Sequence, residues 1–183
     1  MEIIDKVLNG AIVLKPRIFK DHRGYFYESF NDKVFESLSG VKVNFIQDNQ
    51  SYSSKGTLRG LHFQKGAAAQ AKLVRVTRGS AFDVAVDLRP DSPTFKQWYG
   101  IKLSEENYLQ FFIPRGFAHA FVALEDNTIF QYKVDNYYSS ANDGGVIWND
   151  QELGITWPEG KLELSQKDNN LPKLNQLNFN TLW

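Results

Sequence analysis

Hydrophobic and polar positions alternate with a period of two along several stretches of the chain. In residues 81–88, one face carries large apolar side chains and the other alternates alanine with aspartate. This period is that of a β-strand. Residues 89–93, Arg-Pro-Asp-Ser-Pro, supply the turn that ends it. Similar patterns predict further strands over residues 12–14, 24–30, 73–76, 108–113 and 128–134.

Helix signals are sparse. The best lies over residues 31–38, where Asn31 can cap the first turn, apolar side chains share one face, and Gly40 can end the helix. A shorter helix is predicted over residues 104–107. The segment from Ser165 onward is polar and rich in asparagine, which predicts an irregular tail on the surface. Many short strands separated by Gly and Asp turns predict a β-sandwich or barrel.

Composition narrows the class of protein. A chain of 183 residues has the size of one domain, so we predict a single domain over residues 1–183. Aromatic residues make up 14% of the chain, which suits a β-rich core and a pocket with flat walls. Cysteine is absent from the sequence, which excludes disulfides, thiolate metal sites and cysteine nucleophiles.

Charge and hydropathy argue against two classes of partner. Lys plus Arg equals Asp plus Glu, at 21 each, so the basic excess of a non-specific nucleic-acid binder is missing. The sequence has neither a basic amphipathic stretch nor an apolar run of about 18 residues, so we expect no membrane partner. The first residues do not resemble a signal peptide, and with the lack of cysteine this favours the cytoplasm.

Candidate chemistry lies first in residues 58–64, Leu-Arg-Gly-Leu-His-Phe-Gln. On a regular strand, a period of two would place Gly60, His62 and Gln64 on one face. A single strand histidine is more often structural than catalytic. However, a barrel with inward charges such as Lys72 and Asp83 must either hold a ligand or pair those charges internally.

A second candidate is residues 114–119, Pro-Arg-Gly-Phe-Ala-His. The spacing P-x-G-x-x-H is half of the cupin signature, and cupins are small jelly-roll barrels. The earlier His-x-His of metal-binding cupins is missing, and the chain has only three histidines, His22, His62 and His119. We therefore expect no catalytic metal.

Two further groups leave alternatives open when they are taken alone. Gln131-Tyr132-Lys133 followed by Tyr137-Tyr138 is either a strand with an aromatic ladder or a phenol that points into a pocket. Residues 21–24, Glu28 and residues 47–49 are typical of a polar turn and a solvated loop.

Taken together, the motifs resemble the dTDP-4-dehydrorhamnose 3,5-epimerases of the cupin superfamily. The match runs in the same order over nearly the whole chain. Its elements are DHRGYFYESF at 21–30, Q-x-N at 47–49, LRGLHFQ at 58–64, QAKLVRV at 70–76, FDVAVDLR at 82–89, IPRGFAHAF at 113–121, QYKVDNYY at 131–138, WND at 148–150 and Lys167-Asp168.

The resemblance implies an enzyme that inverts carbons 3 and 5 of dTDP-4-dehydro-6-deoxy-D-glucose. Both carbons flank the ketone, so inversion needs a base, an acid on the opposite face and a donor to the carbonyl oxygen. The resemblance gives His62 as base with Asp168 as its orienting partner, Tyr132 as acid, and Lys72 as donor. The reaction involves no redox change and implies no cofactor, in keeping with the lack of a G-x-G-x-x-G motif.

The resemblance also implies contacts to the nucleotide and its diphosphate. It assigns them to Arg23, Glu28, Gln47, Asn49 and Arg59, and it places Lys72 and Lys167 among the substrate-binding residues. His119 is assigned to the phosphate or the sugar, and Tyr138 to stacking on thymine. Asp143, which the resemblance also gives as a substrate-binding residue, stands where the family usually has Glu, and its carboxyl is one methylene shorter.

We therefore expect an all-β, cupin-type jelly-roll barrel with short peripheral helices and N- and C-terminal extensions. By resemblance it forms a homodimer, takes a dTDP-4-keto-6-deoxy-hexose as substrate, and needs no metal. Within the family, an alternative is an epimerase that inverts only carbon 3 or carbon 5. From other classes, the alternatives are a non-catalytic nucleotide-sugar-binding cupin and a metal-dependent dioxygenase, which the missing His-x-His disfavours.

Overall fold

The computed structural model describes residues 1–183, except for the side chain of Asn180. Two helices and four short 3-10 turns accompany a set of β-strands. The helices are α1 (Asp32–Ser39) and α2 (Gln166–Asn169). The strands are β1 (Glu2–Val7), β2 (Ala11–Lys15), β3 (Phe19–Asp21), β4 (Gly24–Phe26), β5 (Gln47–Ser53), β6 (Leu58–Gln64), β7 (Lys72–Arg78), β8 (Ser80–Asp87), β9 (Trp98–Ser104), β10 (Gln110–Ile113), β11 (Phe117–Ala123), β12 (Thr128–Val134) and β13 (Asp143–Gly145).

The strands form two antiparallel sheets and a separate hairpin. One sheet has the order β1-β2-β10-β7-β12-β5, the other the order β13-β6-β11-β8-β9, and β3 pairs with β4. Strands that lie side by side in these sheets are mostly far apart along the chain, as expected for a jelly roll. The prediction of an all-β, cupin-like fold is confirmed.

The main core lies between the two sheets. It joins Val74 and Phe130 of the six-stranded sheet to Ala85, Phe117 and Phe121 of the five-stranded sheet. The rings of Phe121 and Phe130 stack across the interior with centroids 4.0 Å apart and planes 2° from parallel. The heavy aromatic content therefore fills the space where the sheets approach each other.

Each sheet also buries part of its outer face. Helix α1 packs Phe35 onto Leu73 and Phe112 of the six-stranded sheet. On the five-stranded sheet, Val84 and Val86 pack against the C-terminal segment. Strand β8 is therefore buried on both faces, because its alanines face the core between the sheets and its valines face the tail.

The tail prediction is wrong in part. The segment after Ser165 is irregular, as its composition indicates, but Leu174 and Leu182 are buried in the outer cluster of the five-stranded sheet. Asp168 in α2 is also buried. The few apolar residues of the segment after Ser165 follow neither a helical nor a strand period. The sequence pattern therefore did not indicate that this segment packs on the barrel.

The predicted helix over residues 31–38 is confirmed at Asp32–Ser39, where Asn31 Oδ1 accepts from the Val34 amide at 3.2 Å and Gly40 is left-handed. The predicted helix over residues 104–107 is wrong. There, the side chains of Ser104 and Asn107 accept from each other's backbone amides at 3.1 and 3.0 Å, which closes a turn instead. Among the described residues no helix has the length and apolar character that crossing a membrane requires.

Two predicted strands are shorter than expected. The strand over residues 108–113 begins only at Gln110, because Tyr108 has a φ of 58° and cannot continue a strand. The strand over residues 24–30 ends at Phe26, in the exposed β3–β4 hairpin.

Strand β6 contains one extra residue relative to its neighbour β11. His62 pairs with His119 and Arg59 pairs with Phe121, so three steps along β6 match two along β11. The bulge places Arg59 on the same cavity as His62, so the expectation that Gly60 shares a face with His62 and Gln64 is wrong for Gly60. His62 and Gln64 keep their two-residue spacing, because their pairing with β13 is regular. Gly60 has a φ of 127°, and a Cβ there would lie 2.6 Å from the His119 carbonyl oxygen.

Replacing Gly60 with Ala should lower the free energy of unfolding by about 3 kcal/mol, because the new methyl group is strained at this φ and also meets β11. Gly160 is the matched control, since its φ of 118° is similar and nothing lies within 4 Å of its added Cβ. Gly160→Ala should cost only about 1–2 kcal/mol. Equal losses in urea denaturation would contradict the close approach at Gly60.

Candidate active site

A cavity of about 330 Å³ opens between the two sheets beside helix α2. Both sheets and the helix contribute titratable side chains to it, so charged groups converge on one enclosed space. They are Arg59 and His62 from β6, Lys72 from β7, His119 from β11, Tyr132 from β12, and Lys167 and Asp168 from α2.

His62 and Asp168 form the shortest polar contact that the cavity offers for acid–base chemistry. His62 Nε2 lies 2.6 Å from Asp168 Oδ1. Asp168 is held in turn by α2, whose first turn is capped by Ser165 Oγ accepting from the Asp168 amide at 3.1 Å. Since the carboxylate takes Nε2, the other ring nitrogen of His62, Nδ1, is left for a substrate.

The surroundings of Asp168 favour its charged form. Burial alone would raise its pKa, but hydrogen bonds from His62, Ser165 and the Gly60 backbone amide outweigh burial and hold the pKa below its ordinary value. The carboxylate therefore stays ionised and orients the imidazole.

Tyr132 approaches the cavity from the other sheet. His62 lies on β6 of the five-stranded sheet and Tyr132 on β12 of the six-stranded sheet, so the imidazole and the phenol face the cavity from different walls. Burial raises the pKa of Tyr132, while the charge of Arg59 acts in the opposite direction. The phenol is thus protonated at neutral pH and can donate a proton.

Lys72 lies next to Tyr132, with its Nζ 6.0 Å from the centre of the phenol ring. Burial lowers the pKa of Lys72 to about 8, although the charges of Asp83 and Asp143 act to raise it. An ammonium group in this position can meet negative charge that develops on a bound carbonyl oxygen.

His119 forms a second histidine–carboxylate pair. Its Nε2 lies 2.8 Å from Asp83 Oδ2, within hydrogen-bonding distance, and both side chains are buried. Burial lowers the pKa of His119, and the hydrogen bond with Asp83 only partly offsets this. His119 is therefore neutral near pH 7, which suits a contact to a sugar hydroxyl better than one to a phosphate.

Arg59 and Lys167 supply positive charge to the cavity. Arg59 Nε donates to Ser53 Oγ at 3.2 Å, which fixes the guanidinium on the cavity side of β6. Lys167 Nζ donates to Asp143, and this hydrogen bond raises the pKa of Lys167. The two cations can take the oxygens of a diphosphate.

Asp143 and Tyr138 lie beside the cavity without lining it. Asp143 accepts from Lys167, from the Tyr138 hydroxyl at 3.3 Å and from Gln64 Nε2 at 3.3 Å. The Tyr138 ring is exposed. Asp143 thus links α2 to the segment that carries Tyr138, and in this structure its carboxylate is occupied by protein donors.

Four further residues that the sequence predicted to bind the nucleotide do not line the cavity either. Gln47 Nε2 donates to Asn49 Oδ1 at 2.9 Å, and Asn49 lines a separate polar pocket of about 240 Å³ that also touches Tyr132. Arg23 pairs with Asp21 on the exposed β3–β4 hairpin, and Glu28 is exposed just after it. One copy of the chain does not bring these residues to His62.

Ser51 and Phe121 line the cavity, although the sequence did not single them out. The signal was present in the strand alternation, since Ser51 is two residues from Asn49 on β5 and Phe121 is two residues from His119 on β11. Within the part of the chain that the structure describes, no three His, Asp or Glu side chains cluster as metal ligands would.

The fold and the site together define a class of protein. A jelly-roll barrel of the cupin type holds a histidine–aspartate pair on one wall and a phenol with a lysine beside it on the other, with further cations at the same cavity. These are the groups that an isomerase needs to remove and return protons at a carbon next to a carbonyl group.

Comparison with known proteins gives the family. The model of the dTDP-4-dehydrorhamnose 3,5-epimerase family matches residues 5–176, so the chain belongs to this family. The chain is 52% identical over 177 residues to the dTDP-4-dehydrorhamnose 3,5-epimerase of Salmonella typhimurium, which covers 96% of this chain and 97% of that protein.

Solved structures agree. A dTDP-6-deoxy-D-glucose-3,5-epimerase from Legionella pneumophila, in complex with dTDP-4-keto-L-rhamnose, is 45% identical, covers 99% of this chain and 96% of its own, and has a TM-score of 0.95. A 3′-monoepimerase from Streptomyces bikiniensis, in complex with dTDP-quinovose, is 33% identical, covers 96% and 88%, and has a TM-score of 0.88. The same fold therefore serves enzymes of both kinds.

Replacing Asp168 with Asn should destabilise the protein by about 1.5–3 kcal/mol at pH 7, because a charge-assisted hydrogen bond is lost. The folded-state pKa of Asp168 lies below its ordinary value of 3.8. Its contribution is therefore present above about pH 4 and is lost as the pH falls through the folded pKa. The difference in the free energy of unfolding between wild type and Asp168→Asn, measured by urea denaturation, should become smaller below pH 4. The exposed Asp91→Asn serves as control, and a gap that stays constant down to pH 2 would contradict the assignment.

Proposed function

We propose that this protein is a dTDP-4-dehydrorhamnose 3,5-epimerase, which converts dTDP-4-dehydro-6-deoxy-D-glucose to dTDP-4-dehydro-L-rhamnose. The observation that carries the proposal is the placement of the His62–Asp168 pair and the Tyr132 phenol on different walls of one cavity. Family membership supports the substrate, and the cavity supports the chemistry.

The first step is the removal of a proton from a carbon beside the ketone. His62 Nδ1 takes this proton, because Nε2 is engaged by Asp168. The ionised Asp168 then stabilises the imidazolium that forms, without itself accepting the proton. The electron pair of the broken C–H bond moves into an enolate, with negative charge on the carbon 4 oxygen.

The second step returns a proton to the other face of the same carbon. Lys72 donates to the enolate oxygen while the charge is present. Tyr132 delivers its proton from the opposite wall, which inverts the configuration. Solvent then restores both groups, and the same sequence at the second carbon completes the reaction.

The nucleotide end of the substrate needs positive charge and a flat surface. Arg59 and Lys167 pair with the diphosphate, because guanidinium and ammonium groups donate charge-assisted hydrogen bonds to phosphate oxygens. Tyr138 has an exposed ring beside the cavity and stacks on thymine. His119, being neutral, accepts a hydrogen bond from the sugar. Asp143 contributes by holding Lys167 and Tyr138 in place.

Arg23 and Glu28 act from a second copy of the chain. Arg23 and Glu28 lie on or next to a hairpin that exposes Phe19, Tyr25 and Phe26, a surface expected to be covered by a partner. A homodimer in which this hairpin approaches the partner's cavity would bring Arg23 and Glu28 to the nucleotide. Gln47 and Asn49 lie on β5, the edge strand of the six-stranded sheet that also carries Tyr132. Sedimentation of a single-chain mass at micromolar concentration would contradict this.

Single-position epimerisation is the second candidate. The likeness to a 3′-monoepimerase favours it, since the fold does not separate the two activities. The higher identity to 3,5-epimerases over nearly the whole chain favours inversion of both carbons. A single catalytic domain over residues 1–183 and a cytoplasmic location stay predictions of this proposal.

His62→Asn and Tyr132→Phe should each lower kcat by at least about 100-fold, because each removes a proton-transfer group. The affinity for dTDP, measured by calorimetry, should stay within a few-fold of wild type. Tyr99→Phe is the matched control, since Tyr99 is a partly buried phenol that packs on the core outside the cavity. Product formation is followed by NMR. Near wild-type turnover in His62→Asn would remove His62 as the base.

A further inference from the structure

Asp83 is a buried carboxylate that takes no part in the proton-transfer steps of the proposed epimerisation. It lies on β8, is fully buried, and accepts from His119 Nε2 through Oδ2 at 2.8 Å. Its other oxygen, Oδ1, is buried and has no hydrogen-bond partner among the described residues. An ionised carboxylate in such a place is costly unless nearby positive charge compensates it.

The positive charge that could compensate Asp83 is present among the side chains that line the cavity. The groups that face it are Arg59 and His62 from β6, Lys72 from β7, His119 from β11, Tyr132 from β12, and Lys167 and Asp168 from α2. Asp168 is paired with His62 and Lys167 with Asp143, while Arg59 bonds to Ser53 and the backbone of Tyr52. His119 is the direct partner of Asp83.

Lys72 is the cation without a direct partner. Within the described part of the chain, Lys72 Nζ makes no hydrogen bond and no ion pair. Of the acidic groups near it, Asp83 has the largest favourable effect on its charged form, followed by Asp143. Asp143 already accepts from three side chains, whereas Asp83 Oδ1 is free of any such donor.

We propose that Asp83 is a positioning residue of this site: its buried carboxylate keeps Lys72 a cation and fixes the ring of His119. Because Asp83 takes Nε2–H, the His119 Nδ1 is unprotonated and presents a hydrogen-bond acceptor. One carboxylate thus sets the charge of the group that meets the enolate and the tautomer of the group that accepts from the sugar. The catalytic consequence rests on the proposed function, while the electrostatic part does not.

The negative charge of Asp83 determines the direction in which the pKa of Lys72 should change. Asp83→Asn keeps the side-chain size but removes the negative charge that favours the ammonium form. The pKa of Lys72 should then fall below its wild-type value of about 8. At pH 8 the variant would hold mostly neutral amine, so kcat should drop more at pH 8 than at pH 6.5.

Asp87 gives a matched control. It is a fully buried carboxylate on the same strand and the same face, four residues along. Its partners are Arg89, Ser92 and Thr94, and it does not line the cavity. Asp87→Asn should therefore destabilise the fold without moving the titration of Lys72.

The experiment follows the Lys72 side chain by NMR in protein labelled with ¹³C-lysine, with the signal assigned by Lys72→Arg. The midpoint should lie near pH 8 in wild type and in Asp87→Asn, and roughly one unit lower in Asp83→Asn. An unchanged midpoint in Asp83→Asn would overturn the proposal. Since this readout needs no turnover, a shifted midpoint in a protein without epimerase activity would count against the proposed function alone.

A second measurement uses the wild-type protein and does not depend on how any variant folds. Long-range ¹H–¹⁵N correlations report which nitrogen of His119 carries the proton. We expect the Nε2–H form throughout pH 6.5–8. The Nδ1–H form, or a doubly protonated ring at pH 8, would overturn the role of Asp83 in fixing His119.

Discussion

The hydrogen bond between His62 and Asp168 is the interaction on which the site depends. It joins two parts of the chain that are 106 residues apart, strand β6 of the barrel and helix α2 of the C-terminal segment. The bulge at Gly60 turns His62 towards the cavity, and Ser165 fixes the first turn of α2. Burial of Leu174 and Leu182 then holds the segment against the outer face of the five-stranded sheet. The tail is therefore part of the site.

The two-sheet barrel solves a geometric problem of epimerisation. A proton must leave one face of a carbon and another must arrive on the opposite face, so the base and the acid need separate walls. Strands β6 and β12 belong to different sheets, and the distance between the sheets sets the width of the cavity. The same enclosure makes charge costly, which is why each carboxylate around the cavity has a histidine or lysine nearby.

The sequence predicted the fold class, helix α1 and six of the thirteen strands (β2, β4, β7, β8, β10 and β12), because alternation and capping are local properties. Resemblance supplied the members of the site, and the structure brings His62, Tyr132, Lys72, Asp168, Arg59, His119 and Lys167 to one cavity. Local patterns failed where a distant contact or a competing side-chain hydrogen bond decides the structure. The bulge at Gly60 depends on the approach of β11, the turn at Ser104 on side-chain bonds to Asn107, and the burial of the tail on scattered leucines. Arg23 and Glu28 lie on or just after the exposed β3–β4 hairpin, and their approach to a cavity in a homodimer stays a prediction.

The most direct test of the account is the number of solvent protons that the product acquires. Each inversion passes through an enolate, so each must replace one carbon-bound hydrogen with a proton from solvent. In deuterium oxide, the product should carry deuterium at carbons 3 and 5 and have the L-rhamno configuration, as read by NMR after trapping with a reductase. Deuterium at one carbon with a single inverted centre would contradict the two-centre reaction, and an unlabelled, unchanged sugar would contradict catalysis by this site.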